Sequence, residues 1–109
     1  MKRCIIVTAE YEEFKNNSDI RSQRKMQNAV YIMQEADIIP ANIVKKLVNT
    51  EFYEMRVSVG KEIRVIIFAI DNTNINLATK IYLLNGFVKK STKDYRREIE
   101  RARHILDKL

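Results

Sequence analysis

The spacing of apolar residues changes twice along the chain and divides it into elements. Residues 3–8 (RCIIVT) are rich in β-branched side chains and predict a first strand. Glu10, Tyr11, Glu12, Glu13 and Phe14 follow as a short helix, after which Asn16, Asn17 and Ser18 offer side chains able to cap the next one. From Asp19 to about Asp37, Met26, Ala29, Val30, Met33 and Ala36 recur at spacings of three and four, the stripe of a helix with one buried face. Pro40 stops whatever precedes it.

The period then shortens. Within Phe52 to Val59, Tyr53, Met55, Val57 and Val59 alternate with Glu54, Arg56 and Ser58, as in a half-buried strand, and Gly60, Lys61 and Glu62 read as its turn. Ile63 to Ile70 is apolar almost throughout and predicts a central strand covered on both faces. Asp71 to Asn74 supplies a turn, and a third strand from Ile75 to about Val88 completes a meander, with Gly86 marking a bend or a close backbone approach. Ser91 and Asp94 form a helix-start signature, followed by Tyr95, Ile99, Ala102, Ile105 or Leu106, and Leu109 at helical spacing. The expected fold is a single α+β domain over residues 1–109, in the order β-α-α-β-β-β-α, with an antiparallel sheet and its helices packed on one face.

Composition supports a folded domain: 46% of the 109 residues are hydrophobic, with only two glycines and one proline. The single cysteine, Cys4, cannot form an internal disulfide, and no signal peptide or membrane-length apolar run is apparent, so a reducing cytoplasm is the expected location and no membrane association is expected. The net charge of +6 is concentrated at the C-terminal end. From residue 89 onward, eight lysines and arginines face four carboxylates. Lys93, Arg96 and Arg97 at the start of the last helix are therefore candidate RNA contacts, although an acidic protein or plain solvent satisfies the same field.

The sequence holds no glycine-rich phosphate loop, no cysteine–histidine cluster and no acid–histidine spacing suited to a metal, so neither metal nor organic cofactor is expected. His104 reads as a surface residue and Cys4 as a buried small hydrophobe. Arg56 and Arg64 are less ordinary. If the hairpin turns about Gly60, they fall opposite each other on neighbouring strands and repel by up to roughly 1 kcal/mol. A bound phosphate would relieve that repulsion; so would ion pairs with Glu54 and Glu62, and spacing alone does not choose between them.

Four runs, FYEMRV (Phe52 to Val57), IRVIIF (Ile63 to Phe68), LLNGFVKKS (Leu83 to Ser91) and YRREIERAR (Tyr95 to Arg103), resemble in sequence and order the RelE/ParE superfamily of bacterial toxins, particularly its HigB-like branch. The resemblance covers about residues 45 to 105 and implies a RelE-like fold and the toxin of a type II toxin–antitoxin system: a ribosome-dependent endoribonuclease that cuts messenger RNA and is silenced by a cognate, helix-turn-helix antitoxin. By motif, Arg56 and Arg64 correspond to the strand cations that hold the scissile phosphate, Lys89 and Lys90 to the basic pair after the last strand, and Tyr95 to an aromatic that stacks on a base or assists proton transfer. Asn85 stands where many HigB-like sequences carry histidine, and STKDY replaces the usual threonine–proline ending after Lys90.

Chemistry of this kind needs no metal. Attack of a ribose 2′-hydroxyl on the adjacent phosphate builds negative charge on the phosphoryl oxygens, where arginine and lysine stabilise it, and crowded cations favour a neutral lysine, Lys89 or Lys90, as base. The products would be a 2′,3′-cyclic phosphate and a 5′-hydroxyl. Two other functions share the fold or its charge: a ParE-like inhibitor of DNA gyrase, and a non-catalytic nucleic-acid-binding domain whose basic last helix lies along phosphates.

Overall fold

The computed structural model describes residues 2–109. Strand β1 (Cys4–Val7) leads through helices α1 (Ala9–Asn16) and α2 (Ile20–Glu35) to strands β2 (Val44–Lys46), β3 (Tyr53–Ser58), β4 (Glu62–Ala69) and β5 (Lys80–Lys89), and helix α3 (Lys93–Asp107) ends the chain. The five strands form one sheet in the order β1-β5-β4-β3-β2. β1 runs parallel to β5 and every other pair is antiparallel, so the sheet is mixed rather than antiparallel as expected.

Local chemistry accounts for the element ends. The Tyr11 amide donates to Thr8 Oγ1 at 3.0 Å and the Ser22 amide to Asp19 Oδ1 at 2.8 Å, so Thr8 caps α1 and Asp19 caps α2. The run 16–18 instead closes α1: Asn17 is its C-cap, and the Ser18 hydroxyl donates to Phe14 O at 2.8 Å. The β3–β4 hairpin turns at Gly60 with a φ of 75°, a left-handed conformation that glycine adopts without strain. Residues 71–79 are irregular rather than the start of β5. There the Asn74 and Asn76 amides donate to Asn72 and Asn74 side chains, and Asp71 accepts the amides of Thr79 and Lys80. Hydrogen bonds from Thr79, its hydroxyl foremost and then its amide, pull the Asp71 pKa down to about 2.

The sheet has a core on each side. Met26, Ala29 and Met33 of α2 and Tyr11 of α1 pack on Met55, Val65, Ile67 and Leu83. Ala102 and Ile105 of α3 pack on Phe52, Ile66, Leu84 and Phe87 on the opposite side. The expectation of helices on one face is therefore wrong: Ile66 points away from α1 and α2, and only α3 covers it. Cys4 is also exposed, because β1 is an edge strand. Arg3, by contrast, is 1% exposed; its guanidinium donates to the carbonyls of Met33, Ala36, Asp37, Asn76 and Ala78, tying the end of α2 to the loop before β5.

Gly86 makes the close approach that its place in a strand predicts. A Cβ there would lie 2.8 Å from Phe14 Cε2 and 2.9 Å from Cγ. Gly86→Ala is accordingly expected to lower the unfolding free energy by about 1–3 kcal/mol through overpacking. Urea denaturation reads the effect, and Phe14→Leu in the same chain should recover much of it; an unchanged midpoint for the single variant would rule the steric account out.

Candidate functional site

The register places Arg56 directly opposite Arg64. Glu54 and Glu62 occupy the same face, since alternate residues of a strand share a side. Glu54 Oε1 lies 3.3 Å from Arg64 Nε and 3.4 Å from Arg56 Nε, and Glu62 Oε1 lies 3.2 Å from Arg64 Nη2. The carboxylates thus do neutralise the pair, but unequally. Arg64 is 2% exposed and also donates to Tyr95 Oη at 3.1 Å and to Ile63 O at 3.0 Å, so all its nitrogens are engaged. Arg56 is half-buried, makes one ion pair among the described residues, with Glu54, and has nitrogens left for an incoming group.

Tyr95 reaches this cluster from the first turn of α3, donating its hydroxyl to Glu54 Oε1 at 3.0 Å. Its ring stands edge-on to Phe87 at 5.5 Å between centroids, and Lys89 Nζ lies over it at 5.5 Å. Burial, helped by the neighbouring Glu54 carboxylate, raises the Tyr95 pKa, so the phenol stays protonated. The start of α3 is fixed by Asp94, whose carboxylate accepts the amides of Lys90 at 2.8 Å and Ser91 at 3.1 Å. Those amide bonds hold Asp94 below the usual carboxylate range.

Because α3 lies over β5 and β4, the same face of β3 and β2 is left open beside it. The result is a groove of about 240 Å³ lined by Lys45, Lys46, Glu54, Arg56, Lys89 and Tyr95, with Leu47 and Val48 at its rim. Lys45, Arg56 and Lys89 carry three positive charges around that one carboxylate, whereas the Lys46 ammonium turns to the other side of the strand, donating to Leu47 O at 3.2 Å and to Thr50 O and lying 5.6 Å from the Tyr53 ring centroid. Lys45 and Lys46 carry no signal in the sequence, because β2 is only three residues long and shows no alternation.

The residues singled out in the sequence divide accordingly. Arg56, Lys89 and Tyr95 meet in the groove, and Arg64 braces it through Glu54 and Tyr95. Lys90 is exposed and does not line it, which removes one of the two lysines expected to act as base. Lys93 and Arg96 are exposed on α3 outside the groove, while Arg97 pairs with Asp94 at 3.6 Å and Glu98 at 3.4 Å. Asn85 is fully buried beneath α3, its amide donating to Glu98 O and Oε1 at 3.1 Å each, so this position faces α3 and not the groove. His104 is exposed, as expected. Among the described residues no group of histidine, cysteine, aspartate and glutamate could hold a metal ion, and no helix is long and apolar enough to cross a membrane.

Comparison with solved structures finds the same architecture in a double arginine-to-alanine mutant of the E. coli toxin RelE in its free state. The TM-score is 0.66 at 12% identity, over 93% of this chain and 98% of that one, a likeness of fold. No curated protein matches the sequence significantly. The family described as Phage derived protein Gp49-like (DUF891) matches residues 12–107, which takes in every element but β1 and the start of α1. The chain belongs to the Phage derived protein Gp49-like family and carries a RelE-like fold.

Proposed function

We propose that the protein is the toxin of a type II toxin–antitoxin system, of the HigB-like kind, and that it cleaves messenger RNA on the ribosome in the groove between α3 and β2–β3. The observation that carries this reading is the set of three cations, Lys45, Arg56 and Lys89, around one carboxylate and a protonated phenol in a space of about 240 Å³. Such a set neutralises a phosphodiester and the charge that grows on it in the transition state.

The 2′-hydroxyl oxygen bonds to phosphorus as the bond to the 5′-oxygen breaks. Glu54, the one carboxylate lining the groove, takes the 2′-hydroxyl proton. Its two arginine partners hold its carboxylate in place at 3.3 and 3.4 Å. Tyr95 hands its proton to the leaving 5′-oxygen and regains one from Glu54, to which it is already hydrogen-bonded at 3.0 Å. Lys89, one of the two lysines that could act as base, serves instead as a phosphate-facing cation. A cognate antitoxin would silence the protein by covering this basic groove with acidic or apolar residues.

Inducible expression with and without the adjacent gene, followed by mapping of messenger RNA ends, tests the reading. Growth arrest with new in-frame cuts, relieved by the neighbour, is expected. Arrest with intact transcripts and inhibited plasmid supercoiling by purified protein would select a gyrase inhibitor instead. No arrest would leave a nucleic-acid-binding domain.

A further inference from the structure

We propose that a second groove, between α2 and the uncovered edge of β3, is an RNA-phosphate subsite through which the strand continues from the cleavage groove; this rests on the nuclease reading above. The groove has a volume of about 310 Å³ and is lined by Arg24, Lys25, Asn28, Ala29 and Ile43 together with Arg56, the same arginine that walls the first groove. No carboxylate lines it.

The two grooves connect because β2 is short. Its pairing with β3 ends at Val44 opposite Met55, and beyond that point only the Arg56 amide is engaged, by Ile43 O at 2.8 Å. Beyond Arg56, the β3 edge at Val57 and Ser58 has no β2 partner, and a chain held by Arg56 on the α3 side can pass that edge toward α2.

The charges on α2 stand against their own surroundings. Residues 20–34 include Arg21, Arg24 and Lys25 in the first two turns and no acid at all. Cations near a helix N-terminus oppose its dipole. Among the described residues Arg24 makes no ion pair, and Lys25 only donates to Ser58 O at 3.4 Å. On α3, by contrast, Arg97 and Arg101 pair with Glu98, and Arg103 with Glu51. A phosphate held by Arg24 and Lys25 relieves the mismatch on α2 and meets no carboxylate among the lining residues. Single-stranded RNA fits this continuity with the first groove better than an acidic protein segment, which would need only one of them.

The test compares wild type, Arg24→Ala/Lys25→Ala and the swap Arg24→Lys/Lys25→Arg, each checked for an unchanged melting temperature. Binding to a short unstructured RNA and to vacant ribosomes is titrated against salt, and ribosome-dependent cleavage is followed as kcat and KM. Loss of the one phosphate contact should lower the slope of log affinity against log salt by about 0.7 for single-stranded RNA. KM should rise about tenfold or more with kcat unchanged, and the swap should restore most of the loss. A reduced slope on the short RNA assigns the groove to the message and supports the subsite; one seen only on vacant ribosomes assigns it to ribosomal RNA and overturns the continuation of the strand. Wild-type slope and KM in the double alanine variant overturn it, as does weakened binding confined to an acidic peptide. If wild type cleaves nothing, the nuclease reading fails, and the RNA titration still decides the groove.

Discussion

Arg56→Ala is expected to reduce ribosome-dependent cleavage by roughly a hundred- to a thousandfold while leaving the melting temperature almost unchanged, the loss typical of removing one preorganised donor from a developing oxyanion. The asymmetry between the two facing arginines makes this variant informative. Arg56 is half-buried and has a single carboxylate partner, Glu54, which keeps Arg64 and the Tyr95 hydroxyl when Arg56 is removed. The fold therefore loses little, and the groove loses the cation closest to its proton acceptor. Arg56→Lys should restore only part of the rate, because an ammonium restores charge without the two-pronged geometry of a guanidinium. The measurement is single-turnover cleavage of a message on programmed ribosomes. Cleavage within threefold of wild type would remove Arg56 from the reaction and with it the groove as the active site.

Much of the region around that arginine was legible in the chain. The alternation through Tyr53 to Val59 and the turn at Gly60 fix a register, and the register alone puts Arg56 against Arg64. What could not be read is which neighbours complete the groove. Lys45 and Lys46 sit on a three-residue strand whose only buried member is Val44, too short for a period to show. The parallel pairing of β1 with β5 joins residues far apart in sequence, and no local pattern encodes it.

The pattern of Ile63 to Ile70 is that of a strand covered on both faces, and such a strand requires a layer on each side of the sheet. The apolar stripe of α3 supplies the second layer, so helices on one face contradicted the strand pattern itself. Cys4 departs from its expected burial for a related reason: burial at an edge strand is decided by what packs over it. Carbonyls at the end of α2 surround Arg3, and nothing covers Cys4.

Arg64→Ala should behave unlike Arg56→Ala, unfolding the protein more than it disables it. Breaking a buried ion pair by removing one member costs about 3–5 kcal/mol, a large share of the roughly 5–15 kcal/mol that holds a domain together. Here the stranded member is Glu54, 4% exposed and left with Arg56 at 3.4 Å and the Tyr95 hydroxyl. Glu62 loses a partner too, but as an exposed residue it regains water at little cost. The double variant Glu54→Leu/Arg64→Met removes both charges and replaces them with apolar volume between Ile66 and Phe87. It should recover most of the stability and none of the cleavage, because a buried pair is worth little against a well-packed hydrophobic substitute, whereas the reaction needs the carboxylate. Urea denaturation of the single and double variants beside the cleavage assay separates the two roles. A stable Arg64→Ala protein would mean that water reaches Glu54 freely, and a double variant that still cleaves would take the proton acceptor away from Glu54.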